Sequence, residues 1–193
     1  LIRFTLFHFR CNGFSRIFKL EKTPIIKIAI VGAESTGKST LVKELAKHYH
    51  SVYVDEYARD YFNQHNINDY TIDELSHIYL KQTENENAAI KNAGRFLFCD
   101  TALITGKIWS EEVFGKTTGF LKENLMNVHY DFYLVMSNDI PWEQDEQRKN
   151  PHNRNEIFEK NIDELKKLNA DYAIVNGIDE LTTKNAIVKI NKK

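Results

Sequence analysis

The chain has 193 residues, 42% of them hydrophobic and 27% charged, with a formal net charge of −1. That length suits one globular domain with a sizeable core, and the near-neutral charge gives no whole-protein attraction to nucleic acid or an anionic membrane. Two cysteines, Cys11 and Cys99, make no disulfide framework and fit a reducing, cytoplasmic setting. No apolar run reaches the roughly 18 residues of a membrane-spanning helix.

Residues 1–23, "LIRFTLFHFRCNGFSRIFKLEKT", carry five phenylalanines and five Lys or Arg residues, with Glu21 as the only acid. A basic, acid-poor targeting presequence, an amphipathic surface anchor and a poorly ordered leader all share this makeup. The chain does not open with Met, which favours a leader left by an extended gene start. Residues 24–193 therefore carry the functional argument.

From Pro24 onward, strand and helix patterns alternate. "IIKIAIV" (Ile25–Val31) is a continuous apolar run, as expected of a strand covered on both faces. Lys38–Tyr49 has Leu41, Leu45 and His48 at helical spacing, and "SVYVDE" (Ser51–Glu56) is a short strand ending on acids. Leu75, Ile78, Tyr79 and Gln82 mark a long helix over roughly Ile72–Asn92. "RFLFCD" (Arg95–Asp100) is a third strand, in which Cys99 reads as a buried small hydrophobe.

Thr101–Phe114 and Leu121–Val128 read as helices, and "DFYLVM" (Asp131–Met136) as the fourth strand. A polar segment without hydrophobic period follows, then a helix over Ile157–Leu168, the strand "YAIVN" and a last helix from about Glu180. The expected fold is α/β: a three-layer α/β/α sandwich around a mostly parallel five-stranded sheet. Ligands of such sheets sit beyond the carboxyl ends of the strands, where Asp55, Glu56 and Asp100 fall.

"GAESTGKS" (Gly32–Ser39) fits the phosphate-binding loop G-x-x-x-x-G-K-[ST] without a mismatch, between a strand and a helix. Its glycines let backbone N–H groups curl around phosphate, with the helix N-terminus adding positive potential. Gly32, Glu34, Ser35, Thr36, Gly37, Lys38, Ser39 and Thr40 form the expected ATP-binding set. Lys38 reaches the β- and γ-phosphates, while Ser39 offers a hydroxyl to Mg²⁺. Asp100, on a buried strand, has the form of the second metal-side acid.

A GTPase switch would need N-K-x-D after a strand, and "SNDI" (Ser137–Ile140) lacks both lysine and spacing. An assembly ATPase would bring further domains. A small-molecule kinase needs acids beside the acceptor, a wall for it, and an arginine-bearing lid. "DEYARDY" supplies Asp55, Glu56 and Arg59; Tyr57 and Trp109 are candidate walls; "IPWEQDEQRKNPHNR" carries Arg148 and Arg154 in an expected mobile lid over about 138–156. The plainer readings are core packing for Trp109 and a solvated loop for that segment.

With these blocks assembled, the chain resembles the ribosylnicotinamide kinase domain of the bacterial NadR family over about Ile25–Asn191. "GAESTGKSTL", "EYAR" (Glu56–Arg59), "CDTALIT…KIWSEEVFG" (Cys99–Gly115) and "DIPWEQDEQRKNPHNR" (Asp139–Arg154) carry the likeness. One departure is Ala102, where that family commonly has a second acid. The resemblance implies a stand-alone kinase using ATP and Mg²⁺ to phosphorylate the 5′-hydroxyl of nicotinamide riboside. It implies catalytic roles for Lys38, Glu56 or Asp55, Asp100, Arg148 and Arg154. It also implies acceptor contacts from Asp55, Glu56, Tyr57, Arg59, Thr101 and Trp109, and an adenine contact from Asn176. Its partner is then a small molecule. Other nucleoside, nucleotide or sugar-acid kinases, and a regulatory module that binds ATP or NAD without turnover, remain the rival expectations.

Overall fold

The structure, a computed structural model, describes residues 24–144, 146–147 and 152–193. Residues 1–23, with the leader, and Arg148 of the expected lid lie outside the described residues. The strands are β1 (Ile26–Val31), β2 (Val52–Val54), β3 (Phe96–Asp100), β4 (Phe132–Met136) and β5 (Tyr172–Val175). They form one sheet in the order β2-β3-β1-β4-β5, and every pairing is parallel. The "mostly parallel" expectation is thus met by an all-parallel sheet.

Side chains of β1 divide with period two, as the pleat requires. Ile28 and Ile30 pack with Leu41, Leu45, Phe98, Leu134 and Ile190. Ala29 and Val31 pack on the opposite face with Leu97, Cys99, Val135, Ile162 and Leu165. The first cluster draws on α1 (Lys38–His48) and on a C-terminal helix, Glu180–Ile190; the second draws on Arg154–Lys167. Helices thus cover both faces, giving the expected three layers. Among the described residues no helix is long and apolar enough to cross a membrane.

Between β2 and β3 the chain makes α2 (Tyr57–Phe62) and α3 (Ile72–Ala89), the latter tightening into a short 3₁₀ turn at Ile90–Asn92. α3 starts on a reciprocal cap: Thr71 Oγ1 accepts from Glu74 N at 3.2 Å, and Thr71 N donates to the Glu74 carboxylate at 2.8 Å. Tyr61 of α2 donates to that same carboxylate at 2.7 Å, tying the two helices. Then come α4 (Leu103–Phe114), α5 (Gly119–Asn124), α6 (Arg154–Lys167) and α7 (Glu180–Ile190). Leu75, Ile78 and Tyr79 of α3 meet Leu103 and Leu121 in a third cluster, against which Tyr57, Phe62 and Trp109 pack.

Most element ends shift by one to four residues from the sequence expectation, and three differences stand out. α2 is a separate helix, where the sequence reading gives "DEYARDY" candidate acceptor contacts after a strand but no helix. α5 begins at Gly119 rather than Leu121, on a Thr118 side-chain cap. α6 begins at Arg154 rather than Ile157, so Arg154 projects from the first residue of a helix instead of from a structureless lid.

Candidate active site

The loop after β1 is shaped by backbone conformations that favour glycine. Gly32 has φ 141° and Gly37 φ 79°. A Cβ on Gly32 would stand 3.0 Å from the Met136 carbonyl oxygen at the end of β4. Thr36 Oγ1 donates to Ala33 O at 2.8 Å and stiffens the turn. Gly37 then precedes α1 without a side-chain cap, and no acid occupies the first turn. The N-terminal amides of α1 therefore lack side-chain competition for a phosphate.

Lys38 folds back across this loop, donating from Nζ to Gly32 O at 3.1 Å and Ala33 O at 2.8 Å. Facing it, Asp100 ends β3 with 1% exposure, and its Oδ1 has no hydrogen-bond partner. Burial pushes the Asp100 carboxyl up to about 6, and the negative charge of Glu56 adds to that. Lys38, a hydrogen bond from Ser39, and Arg59 pull the other way. Asp100 therefore feels Glu56, Lys38, Ser39 and Arg59, of which Lys38, Glu56 and Arg59 line one cleft.

The two acids after β2 separate. Glu56 caps α2, sits 3.5 Å from Arg59 Nε and lines the cleft beside Lys38. Asp55 is exposed and pairs instead with Lys43 of α1 at 3.5 Å, outside the set of cleft-lining residues. Adjacent residues leaving a strand point to opposite sides, and here Glu56 is the one that turns inward. Glu34 and Trp109 also line the cleft, with Phe62, Leu75 and Tyr79 supplying apolar wall. The Trp109 indole is fixed by donating from Nε1 to Tyr70 Oη at 2.7 Å.

Thr101 follows Asp100 with φ 77°, a left-handed conformation that is strained for a β-branched residue. Its N–H donates to Ile30 O at 3.0 Å, which holds the turn against β1. Tyr57 is placed by its backbone, whose N–H donates to Gln82 Oε1 at 2.9 Å. Ala102 is fully buried in the core beside Val54 and Ile104, so its side chain faces packing and not the cleft.

The segment after β4 reaches over the loop. Glu143 N donates to Ser35 Oγ at 2.9 Å, and Arg154 Nη2 donates to Ser35 O at 3.0 Å and Ile140 O at 2.9 Å. Gln147 Nε2 donates to Arg59 O at 3.2 Å and Asn63 Oδ1 at 2.8 Å. The described residues of this strap thus touch both the loop after β1 and α2. Asn176 lies elsewhere: it is exposed after β5 and accepts from Asn185. Thr40 is also exposed, on the outer side of the first turn of α1.

Sequence reasoning missed a buried polar group beneath the site. Gln82 and Glu86 interrupt the apolar stripe of α3, and both are buried. Gln82 Nε2 donates to Glu86 Oε1 at 3.2 Å, Lys27 Nζ approaches Glu86 Oε2 to 2.7 Å, and Tyr130 Oη donates to Glu86 Oε2 at 3.0 Å. A polar residue on a buried stripe is the only signal the sequence offers. Its partners come from distant strands and loops.

Residues 27–180 match the family model AAA_28, described as an AAA domain. The chain belongs to the AAA_28 family. This AAA_28 domain is 30% identical over 121 residues to the trifunctional NAD biosynthesis/regulator protein NadR of Salmonella typhimurium strain LT2. It is 29% identical to the corresponding Escherichia coli K12 protein. Each alignment covers 61% of this chain and 30% of the relative, so the chain matches about a third of those proteins' length.

Solved structures agree on the fold of the AAA_28 domain. A NadR protein in complex with NR superposes with TM-score 0.72 at 19% identity, covering 87% of this chain and 50% of that one. Thymidylate kinase from Ehrlichia chaffeensis superposes with TM-score 0.62 at 13% identity, covering 88% and 100%. Within this AAA_28 domain the structure gathers Gly32, Glu34, Lys38, Glu56, Arg59 and Trp109 on one cleft, while the buried Asp100 carboxyl feels Glu56, Lys38, Ser39 and Arg59. Asp55, Thr40 and Asn176 face solvent outside it.

Proposed function

We propose that this domain transfers the γ-phosphoryl group of ATP to the 5′-hydroxyl of nicotinamide riboside, forming nicotinamide mononucleotide. The observation that carries the reading is that Lys38 and Glu56, which line an otherwise largely apolar, Trp109-walled cleft, both act on the buried Asp100 carboxyl. A hydrolytic motor needs no such acceptor chamber. The likeness to NadR supports the choice of acceptor.

The residues also fit Mg²⁺. The unpartnered Asp100 Oδ1 and the Ser39 hydroxyl are hard oxygen donors facing one another, as that ion prefers. Bound there, the ion would neutralise charge on the β- and γ-phosphate oxygens. Lys38 exchanges its loop carbonyls for phosphate oxygens. Glu56 orients the acceptor hydroxyl and takes its proton, a role worth about 10²–10⁴-fold. Arg59, paired with Glu56 at 3.5 Å, keeps that carboxylate aimed. The strap closes the mouth against water, and Arg154 secures it to Ser35 and Ile140.

An acceptor panel tests the reading. With ATP and magnesium, nicotinamide riboside should give stoichiometric ADP and a monophosphate product, while deoxynucleosides, nucleoside monophosphates and sugar acids should give little. ADP formation indifferent to any acceptor would overturn it. Arg154→Ala should lower kcat by about 10²-fold with the acceptor KM within a few-fold, since the guanidinium secures the strap and not the riboside. A change confined to riboside affinity would show that Arg154 serves the acceptor instead.

A further inference from the structure

Three residues that line the cleft, Thr105, Asn153 and Asn161, each hold a buried polar atom with no partner among the described residues, and none has a role in the mechanism above. Asn161 on α6 is 1% exposed, and its Nδ2 donates to Ile157 O at 2.8 Å. Its Oδ1 is shut from solvent with no hydrogen-bond partner. Thr105 on α4 has an Oγ1 in the same condition. Both residues line the cleft, as do Ile108, Trp109 and Ile157 from the same two helices.

An unmet buried acceptor is costly, and proteins rarely keep one without a ligand or water to complete it. Flipping the Asn161 amide is no remedy, because its oxygen would then oppose the Ile157 carbonyl oxygen. The supporting frame is stiff. Lys107 of α4 bridges Glu111 at 2.9 Å and Glu164 of α6 at 3.0 Å, locking the two helices together. Trp109 lies one turn beyond Thr105 on the same helix face, with its N–H already committed to Tyr70. It therefore offers the cleft only its aromatic ring.

We infer that Asn161 and Thr105 form an amide-reading subsite, which binds a primary carboxamide carried on a flat heteroaromatic ring. The inference rests on the kinase reading for the acceptor's identity. Asn161 Oδ1 can only accept, so it requires an N–H donor from the ligand. Thr105 Oγ1 can donate to the carboxamide oxygen. A carboxylate on the same ring presents acceptors alone, leaving Asn161 unmet and setting a negative charge against its oxygen. The subsite therefore separates the amide from the acid by more than size, which is the kind of contrast a hydrogen-bonding pocket enforces strongly.

The experiment compares nicotinamide riboside with nicotinic acid riboside in wild type, Asn161→Leu and the nearly isosteric Thr105→Val. It reads kcat/KM by product formation, and binding by calorimetry without ATP. Wild type should prefer the amide in both measurements. Asn161→Leu should cut that preference by at least about tenfold and Thr105→Val by several-fold, through the acceptor term with the KM for ATP unchanged. Equal binding of the two ribosides by wild type would overturn the subsite. So would a preference unaltered in a folded Thr105→Val protein. Selective amide binding without phosphoryl transfer would leave the subsite standing and remove the kinase reading, so the two failures are distinct.

Discussion

Lys38→Ala abolishes phosphoryl transfer, with kcat expected to fall by about 10³-fold or more and the fold intact. Among the described residues the ammonium group donates to Gly32 O and Ala33 O, both in its own loop. Each such bond contributes about 1 kcal/mol or less net, so its loss barely moves a melting curve. On the proposed reading the same group faces the charge that builds on the transferred phosphoryl. Product formation and thermal melting measured on one preparation separate the two effects. Near-wild-type turnover would remove the central assignment.

Asp100→Asn should disable the enzyme and stabilise the empty protein. The carboxyl, buried at the end of β3, has its pKa raised from 3.8 to about 6, first by burial and then by Glu56. A carboxyl raised on folding binds its proton more tightly in the native state. Stability therefore declines as pH climbs from about 4 to about 6 and stays low above that. The raised carboxyl costs the folded state about 3 kcal/mol at pH 8.

Asparagine cannot ionise, so the variant escapes this penalty. Its melting temperature should exceed wild type by about 5 °C or more at pH 8 and match it near pH 4, while turnover falls at least about 10²-fold. A variant less stable than wild type at pH 8, or a difference that ignores pH, would contradict the electrostatic account. Stability held back at a working carboxylate is the familiar exchange between activity and robustness.

The sequence was most legible where function is written into the backbone. The spacing of Gly32, Gly37 and Lys38 encodes a loop conformation directly, and its place between an apolar run and a helix left one geometry open. Asp100 was legible because a single acid ends a fully apolar strand. Asp55 and Glu56 were indistinguishable, since β2 has only three residues and its inward face depends on pairing with β3. α2 was missed because six residues hold too little periodicity to register. The true start of α6 was hidden because Asn153 makes no side-chain cap bond there. Asn161 and Gln82 were beyond reach in principle. Their meaning depends on which distant groups surround them, and a helical repeat says only that they face inward.

The order of the strands bears on how the two substrates are held. Phosphate loop, Asp100 and strap leave β1, β3 and β4, the three inner members of the sheet, each bordered on both sides. Glu56 leaves β2, a rim strand tied along one side only. Local fraying begins where pairing is thinnest. On the proposed reading, the grip on the acceptor can therefore slacken while the grip on the triphosphate persists, which makes the rim the expected door for the finished product.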